Sequence, residues 1–243
     1  MSENILTTET EYGIFSYWPS DLIGNYIAQG HFWEPFLKPV FDELQPGSVV
    51  VDAGANIGWF TIYAAKRGAY VYAFEPCPEV FGLLKRNVEQ NPAGGNVSLF
   101  PIALYERVEH LHPVDLGPEN PANQVFVDER LDTAVCGNSG SLALIPGEGK
   151  MEQWAVTLDS FNLREVALIK TDAEGCDLEI LKGARKTIER CRPVLCYEYL
   201  WPNPENPERL DSFNSFIEEI GYTTEQVHEG MEGQYREFIA RPK

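Results

Sequence analysis

Carboxylate side chains follow several apolar, strand-like runs of this chain, at positions where they could bind a ligand. Asp52, Glu75, Asp172 and Glu198 each stand at or directly after the end of such a run, and Glu174 follows Asp172 in the same loop. The carboxyl ends of parallel strands meet at one edge of a sheet, and ligands bind there in open α/β folds. The sequence therefore predicts a ligand site lined by carboxylates at one sheet edge.

The loop after Asp52 predicts the kind of ligand. Gly54-Ala-Asn-Ile-Gly58 follows a predicted strand and opens a predicted helix. A dinucleotide loop needs three glycines, but Asn56 and Trp59 occupy the second and third positions and would obstruct a pyrophosphate. S-adenosylmethionine has no phosphate and fits this loop better. The predicted cofactor contacts are Asp52, Gly54, Ala55, Asn56, Ile57, Gly58, Glu75, Pro76, Ala103 and Asp172.

Glu75 supports an adenosine-type cofactor. It lies 23 residues after Asp52, at the end of the second predicted strand. At about this spacing an acidic residue reaches the ribose hydroxyls in such folds. A solvated acid at the strand end is the alternative for Glu75, and a structural acid that holds the loop amides is the alternative for Asp52.

Four segments of the chain resemble the FkbM family of methyltransferases, over roughly residues 30 to 200. They are Val51-Asp-Ala-Gly-Ala-Asn-Ile-Gly58, Ala73-Phe-Glu-Pro76, Ile169-Lys-Thr-Asp-Ala-Glu-Gly-Cys-Asp-Leu-Glu-Ile-Leu-Lys-Gly-Ala184 and Arg192-Pro-Val-Leu-Cys-Tyr-Glu198. The first motif alone indicates only a class I methyltransferase, whereas the Lys-x-Asp-x-Glu-Gly block is far more specific. Cys176, where a small residue such as alanine is common, and Tyr197-Glu198-Tyr199, in place of a more aliphatic ending, depart from the pattern. The resemblance implies O-methylation of hydroxyls on sugars and natural products.

Three acids are the predicted catalytic residues. Methyl transfer requires donor and acceptor to be aligned, and a hydroxyl acceptor must lose its proton. Asp172 could accept that proton or could orient the amino group of the cofactor. Glu174 could do the same, or could stabilise the N-terminus of the helix that follows. Glu198 is expected to hold the substrate rather than to act as a base.

The acceptor site is predicted in a long insertion, residues 105–150, which is rich in Gly, Pro and Asn. Asn138 and Ser139 offer amide and hydroxyl groups to a polyhydroxylated substrate, although an ordinary turn explains them equally. Carboxylates at one edge could bind Mg²⁺ through oxygen, but no residues show a dedicated ligand spacing, so Mg²⁺ is not favoured and no metal ligands are assigned. Alternative bases are His31, His110 and His112.

Alternating strands and helices position these residues. The order β-α-β-α-β predicts a doubly wound, Rossmann-like class I methyltransferase fold with a mostly parallel seven-stranded sheet. Residues 1–45 form an aromatic-rich N-terminal cap with helices at 21–29 and 34–43, and residues 46–243 form the methyltransferase domain. The predicted strands are 48–53, 70–74, 96–102, 108–113, 153–158, 167–171 and 193–199, the helices are 57–67, 78–91, 177–190 and 208–220, and the C-terminal antiparallel hairpin is 222–228 with 235–240.

Composition disfavours several classes of partner. The chain has 243 residues, with 19 Lys and Arg against 37 Asp and Glu, a net charge of −18. Such a surface repels phosphate backbones, so nucleic-acid modification is disfavoured. The apolar runs are too short to cross a bilayer, and the acidic, polar N-terminus does not resemble a secretory signal, so we expect a cytoplasmic protein that does not associate with membranes. The five cysteines contain no Cys-x-x-Cys pair, which disfavours a disulfide framework or a zinc site.

The leading hypothesis is a methyltransferase that acts on a small-molecule acceptor. Two alternatives are a protein that binds S-adenosylmethionine without turnover, in regulation or assembly, and a NAD-linked oxidoreductase. The missing glycines argue against the oxidoreductase, and the acids around Asp172 argue against the protein without turnover. Neither the acceptor nor the oligomeric state follows from the sequence.

Overall fold

The computed structural model describes residues 4–114, 143–146, 153–200, 208–230 and 235–243. The strands are β1 (Leu6–Thr10), β2 (Gly13–Tyr17), β3 (Val49–Ala53), β4 (Tyr70–Phe74), β5 (Val97–Phe100), β6 (Ala103–Leu104), β7 (Glu109–Val114), β8 (Ala143–Pro146), β9 (Gln153–Val156), β10 (Val166–Thr171), β11 (Val194–Leu200), β12 (Tyr222–Gly230) and β13 (Tyr235–Pro242). The helices are α1 (Leu22–Ala28), α2 (Lys38–Asp42), α3 (Trp59–Lys66), α4 (Pro78–Gln90), α5 (Asp177–Gly183), α6 (Arg185–Cys191) and α7 (Glu208–Glu219).

Seven strands of the described residues form the central sheet, in the order β12-β13-β11-β10-β3-β4-β5. The five strands from β11 to β5 are parallel, while β13 is antiparallel to both β11 and β12. This arrangement confirms the predicted doubly wound fold and its C-terminal hairpin. Because β10 and β3 are neighbours, the loops that follow them meet at the carboxyl edge of the sheet.

Both faces of the sheet are covered, which explains the continuous apolar runs of its strands. Val50 packs on one face with Phe60 of α3 and Leu84 of α4. Val51 points to the opposite face, where Leu181 of α5 and residues of α6 and α7 pack. Both helical layers lie against the faces of the sheet, so the carboxyl edge is where a ligand can approach.

The N-terminal segment packs on the face that carries α3 and α4. Asp21 caps α1 by accepting from the amide of Gly24 at 2.7 Å, close to the predicted start of that helix. The second predicted helix is shorter than expected, at Lys38–Asp42, and the hairpin of β1 and β2 was not predicted. Buried Asn87 of α4 binds both the amide and the carbonyl of Ser16 (2.6 and 3.0 Å) and also the carbonyl of Ile57 (2.8 Å). The hairpin is thereby tied to the loop that precedes α3.

The predicted insertion is bounded by regular structure. Strands β6, β9, β7 and β8 form a separate four-stranded sheet, in which β7 and β9 correspond to the predicted strands 108–113 and 153–158, whereas β8 at 143–146 was not predicted. The predicted helix 177–190 is two helices. The break follows Gly183, where a Cβ would lie 2.0 Å from the carbonyl oxygen of Tyr105.

Among the described helices, none has the length and apolar character needed to span a bilayer.

Candidate functional site

Gly54 joins the loop after β3 to the end of β10. Its φ of +78° is a conformation that residues with a side chain rarely adopt. A Cβ at this position would lie 1.9 Å from the carbonyl oxygen of Asp172. The amide of Asp172 in turn donates to the carbonyl of Ala53 at 3.0 Å. The predicted cofactor loop and the strand end that carries Asp172 are therefore packed backbone against backbone.

The loop is also held by hydrogen bonds to the end of β4. The amides of Gly54 and Ala55 both donate to the carbonyl of Phe74 at 3.0 Å, at the end of β4. Asn56 and Gly58 have positive φ values of 50° and 95°, which reverse the chain before α3 begins. Ile57 is fully buried. Backbone amides at the start of a helix are a favourable site for a polar ligand.

Asp52 lies beneath this loop rather than in it. Its side chain is almost fully buried and accepts a hydrogen bond from the hydroxyl of Thr61 at 2.5 Å. Burial raises the pKa of Asp52, while Lys170 and the Thr61 hydroxyl oppose that shift. The contact with Thr61 ties the end of β3 to α3.

Glu75 closes the loop on the side of β4. One oxygen accepts from the amide of Asn56 at 3.0 Å and the other from the amide of Cys77 at 2.9 Å. Burial raises the pKa of Glu75 to about 7 despite these two bonds. Each oxygen keeps a further lone pair, so the carboxylate can still accept from vicinal hydroxyls.

Pro76 and Ala103, two of the predicted cofactor contacts, differ in their exposure. Pro76 is partly exposed beside Glu75. Ala103 is buried in a small cluster with Tyr105, Ala155 and Cys176, so it packs against the segment that follows Asp172.

A group of charged residues, buried except for the partly exposed Asp172, lies next to this loop, on the face of the sheet that carries α3. We call Glu34, Asp172, Glu198 and Glu237 the acid cluster. Asp172 follows β10, Glu198 belongs to β11, and Glu237 is the residue of β13 directly opposite Glu198. Directly opposed residues of two strands point to the same face, which brings these two carboxylates together.

Lys170 is the counter-ion of the acid cluster. Its Nζ lies 2.9 Å from Oδ2 of Asp172, and the Lys170 side chain is only 4% exposed against 27% for Asp172. The ammonium also lies 5.1 Å from the ring centre of Phe60 on α3. Burial acts to lower the pKa of Lys170, but the attraction of Asp172, Glu34, Asp52 and Glu237 raises it well above the ordinary value.

Glu34 reaches the acid cluster from the N-terminal segment. The hydroxyl of Tyr235 donates to Oε1 of Glu34 at 3.4 Å and to Oε1 of Glu237 at 3.1 Å. Oε2 of Glu34 and Oε2 of Glu198 are buried without a hydrogen-bond partner. Burial, followed by the charge of Asp172, raises the pKa of Glu34 to about 8 and that of Glu198 well above its usual range.

Glu174, in the loop before α5, and Asp177, the first residue of α5, extend the acidic region. Glu174 has a φ of 51°, and loss of water together with the nearby charge of Asp172 raises its pKa well above normal. Asp177, in the first turn of α5, has a fully buried side chain. Oδ2 of Asp177 accepts from the amide of Ala173 at 3.4 Å, so it turns back to hold the loop. Burial raises the pKa of Asp177 to about 6.

The structure joins the predicted acids at one face but adds residues that the sequence did not indicate. Glu34, Tyr235 and Glu237 come from the two ends of the chain and belong to no motif, so no local signal could have identified them. Lys170 was visible within the Lys-x-Asp block, but its role as the buried counter-ion was not predicted.

Several predicted residues are not among those that the structure places at this site. Asn138 and Ser139 lie outside the described residues, and so do the side chains of His110 and His112. His31 packs against the ring of Tyr26, with ring centres 4.8 Å apart. Within the described ranges, no three His, Cys, Asp or Glu side chains are arranged to hold a metal ion.

Comparison with known sequences identifies the domain. Residues 52–224 match the family model described as the methyltransferase FkbM domain. Methyltransferase sdnD of Sordaria araneosa is 30% identical over 191 residues, which span 66% of this chain and 70% of sdnD. Hexuronic acid methyltransferase AglP of Haloferax volcanii is 24% identical over 186 residues, 76% of this chain and 70% of AglP. The 31-O-demethyl-FK506 methyltransferase FkbM of Streptomyces tacrolimicus is 46% identical over 57 residues, 23% of this chain and 22% of that protein.

Solved structures show the same fold at low sequence identity. The methyltransferase FkbM structure from Methylobacillus flagellatus aligns with a TM-score of 0.55 and 16% identity, and covers 82% of this chain and 44% of that one. SMU.1697c of Streptococcus mutans, solved in complex with S-adenosylhomocysteine, aligns with a TM-score of 0.50 and 13% identity over 85% of this chain and 93% of that one.

Proposed function

The chain belongs to the FkbM methyltransferase family, and from this premise we propose that it transfers a methyl group from S-adenosylmethionine to a hydroxyl of a sugar or another small natural product. Family membership establishes a methyltransferase. The hydroxyl acceptor is our proposal. It is supported by the names of two relatives, a 31-O-demethyl-FK506 methyltransferase and a hexuronic acid methyltransferase.

The residues of the loop fit S-adenosylmethionine. In our proposal the ribose hydroxyls bind Glu75, whose carboxylate is already oriented by the amides of Asn56 and Cys77. The methionine part contacts the loop from Gly54 to Gly58, where the acid cluster provides negative charge for a cationic ligand. When bound, the cofactor supplies a methyl group on a sulfonium, a carbon that a nucleophile can displace.

The acceptor side of the site is assigned to the acids at the ends of β10 and β11. Asp172, partly exposed, aligns the acceptor hydroxyl or accepts its proton. Glu174 and Glu198 complete the wall around it, with Glu198 holding the acceptor. We also propose that residues 105–150, including Asn138 and Ser139, shape the acceptor pocket. A small molecule suits the net charge of −18 better than a nucleic acid does.

One observation carries this proposal. Gly54 of the cofactor loop lies against the carbonyl of Asp172 so closely that no side chain fits between them. We therefore expect a cofactor bound along the loop to lie next to the end of β10, which is followed by Asp172. Proximity of this kind is the main requirement of a displacement reaction at a methyl group.

A two-step assay tests the proposal. Binding of S-adenosylmethionine, S-adenosylhomocysteine and NAD is first measured by calorimetry, and binding of NAD alone would refute it. Hydroxylated sugars and macrolide-type acceptors are then screened by released S-adenosylhomocysteine, and the position of the new methyl group is read by NMR.

The variant Asp172→Asn identifies the site of chemistry. We expect it to keep its affinity for S-adenosylhomocysteine and to lose roughly 10²-fold or more in turnover, as for removal of a group that aligns or deprotonates a nucleophile. The exposed Asp211→Asn is the matched control and should retain full activity. Full turnover in Asp172→Asn would exclude Asp172 from the reaction.

A further inference from the structure

Some residues of the acid cluster lie inside the range that the family model matches, and others lie outside it. The family model covers residues 52–224, which include Asp172 and Glu198. Glu34 precedes that range, and Tyr235 and Glu237 follow it. The domain common to the family supplies the cofactor loop, so the residues added at both ends are well placed to define the acceptor.

The acid cluster places four carboxyl groups beside one cation of the described ranges, and the raised pKa values of Glu34 and Glu198 mean that these two groups ionise near neutral pH only when a further cation pairs with them. Among the described residues, Lys170 is the cation in contact with these carboxylates, and its hydrogen bond goes to Asp172. Glu34 and Glu198 receive no such bond at Oε2, although both side chains are more than nine-tenths buried. Buried carboxylates without donors are costly, and proteins rarely retain them unless something else pairs with them.

Three kinds of ligand could supply the missing donors, and they differ in charge and geometry. A divalent metal needs several oxygens around one point, and the described residues contain no such group of three. A neutral hydroxyl offers one donor and no charge, whereas an ammonium offers three donors and a full positive charge. S-adenosylmethionine carries one net positive charge, which still leaves carboxylates of the cluster without a cation.

On this basis, which rests on the proposed function, we propose that the methyl acceptor carries a protonated amino group and that the acid cluster binds this group next to the hydroxyl to be methylated. Glu34 and Glu198 are the specificity residues. Tyr235 positions Glu34 through its hydrogen bond, and Glu237 shares the same hydroxyl. Asp172, with 27% of its side chain exposed, is the part of the cluster that an incoming ligand meets first.

Matched amine and hydroxyl probes test the proposal without knowledge of the true acceptor. Calorimetry is performed on the protein saturated with S-adenosylhomocysteine, so that no turnover occurs. The first pair is D-glucosamine and D-glucose, with N-acetylglucosamine as a neutral derivative of the amine. The second pair is trans-2-aminocyclohexanol and trans-cyclohexane-1,2-diol. We expect each amine to bind at least about tenfold more tightly than its neutral partner, since charged hydrogen bonds are the stronger ones.

Three variants show whether the acid cluster causes this preference. Glu34→Gln and Glu198→Gln should each reduce the amine preference to roughly threefold or less, because each removes a carboxyl group that can ionise beside the bound amine but keeps the shape. Glu34→Asp should retain part of it. Glu225→Gln removes the same charge at an exposed position of β12 and is the matched control. Melting temperatures confirm that each variant is folded, and the wild-type comparison remains decisive if one is not.

Two outcomes overturn the inference. One is an amine preference below about threefold, or no saturable amine binding up to about 50 mM. The other is Mg²⁺ binding to the EDTA-treated protein that depends on Glu34, which would assign the acid cluster to a metal. Failure of the proposed function is seen separately, because S-adenosylhomocysteine itself would then not bind.

Discussion

Replacement of Lys170 by methionine tests the charge balance of the acid cluster. Methionine keeps most of the length of the lysine stem, so packing against Phe60 changes little, but the ammonium 2.9 Å from Asp172 is lost. Breaking a buried pair by removing one partner costs roughly 3–5 kcal/mol. We therefore expect Lys170→Met to lower the free energy of unfolding by about 3 kcal/mol at pH 8.

The size of this loss should depend on pH. Burial raises the pKa of Glu34 in the folded protein to about 8, so the folded state holds a proton that the unfolded state releases near pH 4.5. Stability from such a group is complete at low pH and disappears as the pH rises through 8. Removal of Lys170 leaves the ionised acids without a cation, so the loss should be largest at pH 8 and smaller at pH 5.5, where Glu34 is protonated.

Urea unfolding of wild type and Lys170→Met at pH 5.5 and pH 8 measures both quantities. The matched control is Lys85→Met, since Lys85 lies 3.8 Å from Glu89 with both side chains about two-thirds exposed. Such surface pairs contribute at most about 1 kcal/mol. A loss that is the same at both pH values, or that is no larger than that of Lys85→Met, would refute the assignment of Lys170 as the counter-ion.

Three further predictions concern the loop and its supports. Gly54→Ala should destabilise the protein by at least about 1–2 kcal/mol through its positive φ alone and should abolish measurable S-adenosylhomocysteine binding. The control Gly82→Ala, in open space on α4, should stabilise the protein by about 0.5–1 kcal/mol. Thermal melting and calorimetry compare the two variants, and unchanged affinity in Gly54→Ala contradicts the loop assignment. Because the pKa of Glu75 is raised to about 7 and the ribose hydroxyls need its carboxylate, affinity for S-adenosylhomocysteine should rise between pH 6 and pH 8. Glu75→Gln should bind roughly tenfold more weakly, without that rise; a rise that persists in titrations of this variant excludes Glu75 as its source. Asn87→Ala should cost about 2–3 kcal/mol in urea unfolding because it leaves buried backbone groups without partners, and wild-type stability would show that the hairpin is held by other contacts.

Local patterns predicted the elements that position the cofactor loop. The strand at 70–74 and the antiparallel pair at the C-terminus follow from apolar runs bounded by turns, which are properties of neighbouring residues. The same reasoning located Asp172 and Glu198 at the carboxyl edge, because the βαβ order places strand ends together. These parts of the site depend on topology alone.

Other features depend on contacts between distant residues and could not be predicted. Glu34 joins the acid cluster through Tyr235, which is 201 residues away. Asp177 occupies a position on α5 that suits a solvated acid, but the loop above it needs an acceptor for the amide of Ala173. The β1–β2 hairpin is held by Asn87, a polar residue that no hydrophobic pattern distinguishes.

The position of β13 has a consequence for the order in which the protein folds. This last strand lies inside the sheet, between β11 and β12, and it delivers Tyr235 and Glu237 to Glu34. Contacts between residues so far apart in sequence form slowly, because a long loop must close before they contribute. Strands β3, β4 and β5 and their helices need only local steps, so the cofactor loop can form early. Closure of the acid cluster is therefore expected to be a late event that couples both ends of the chain.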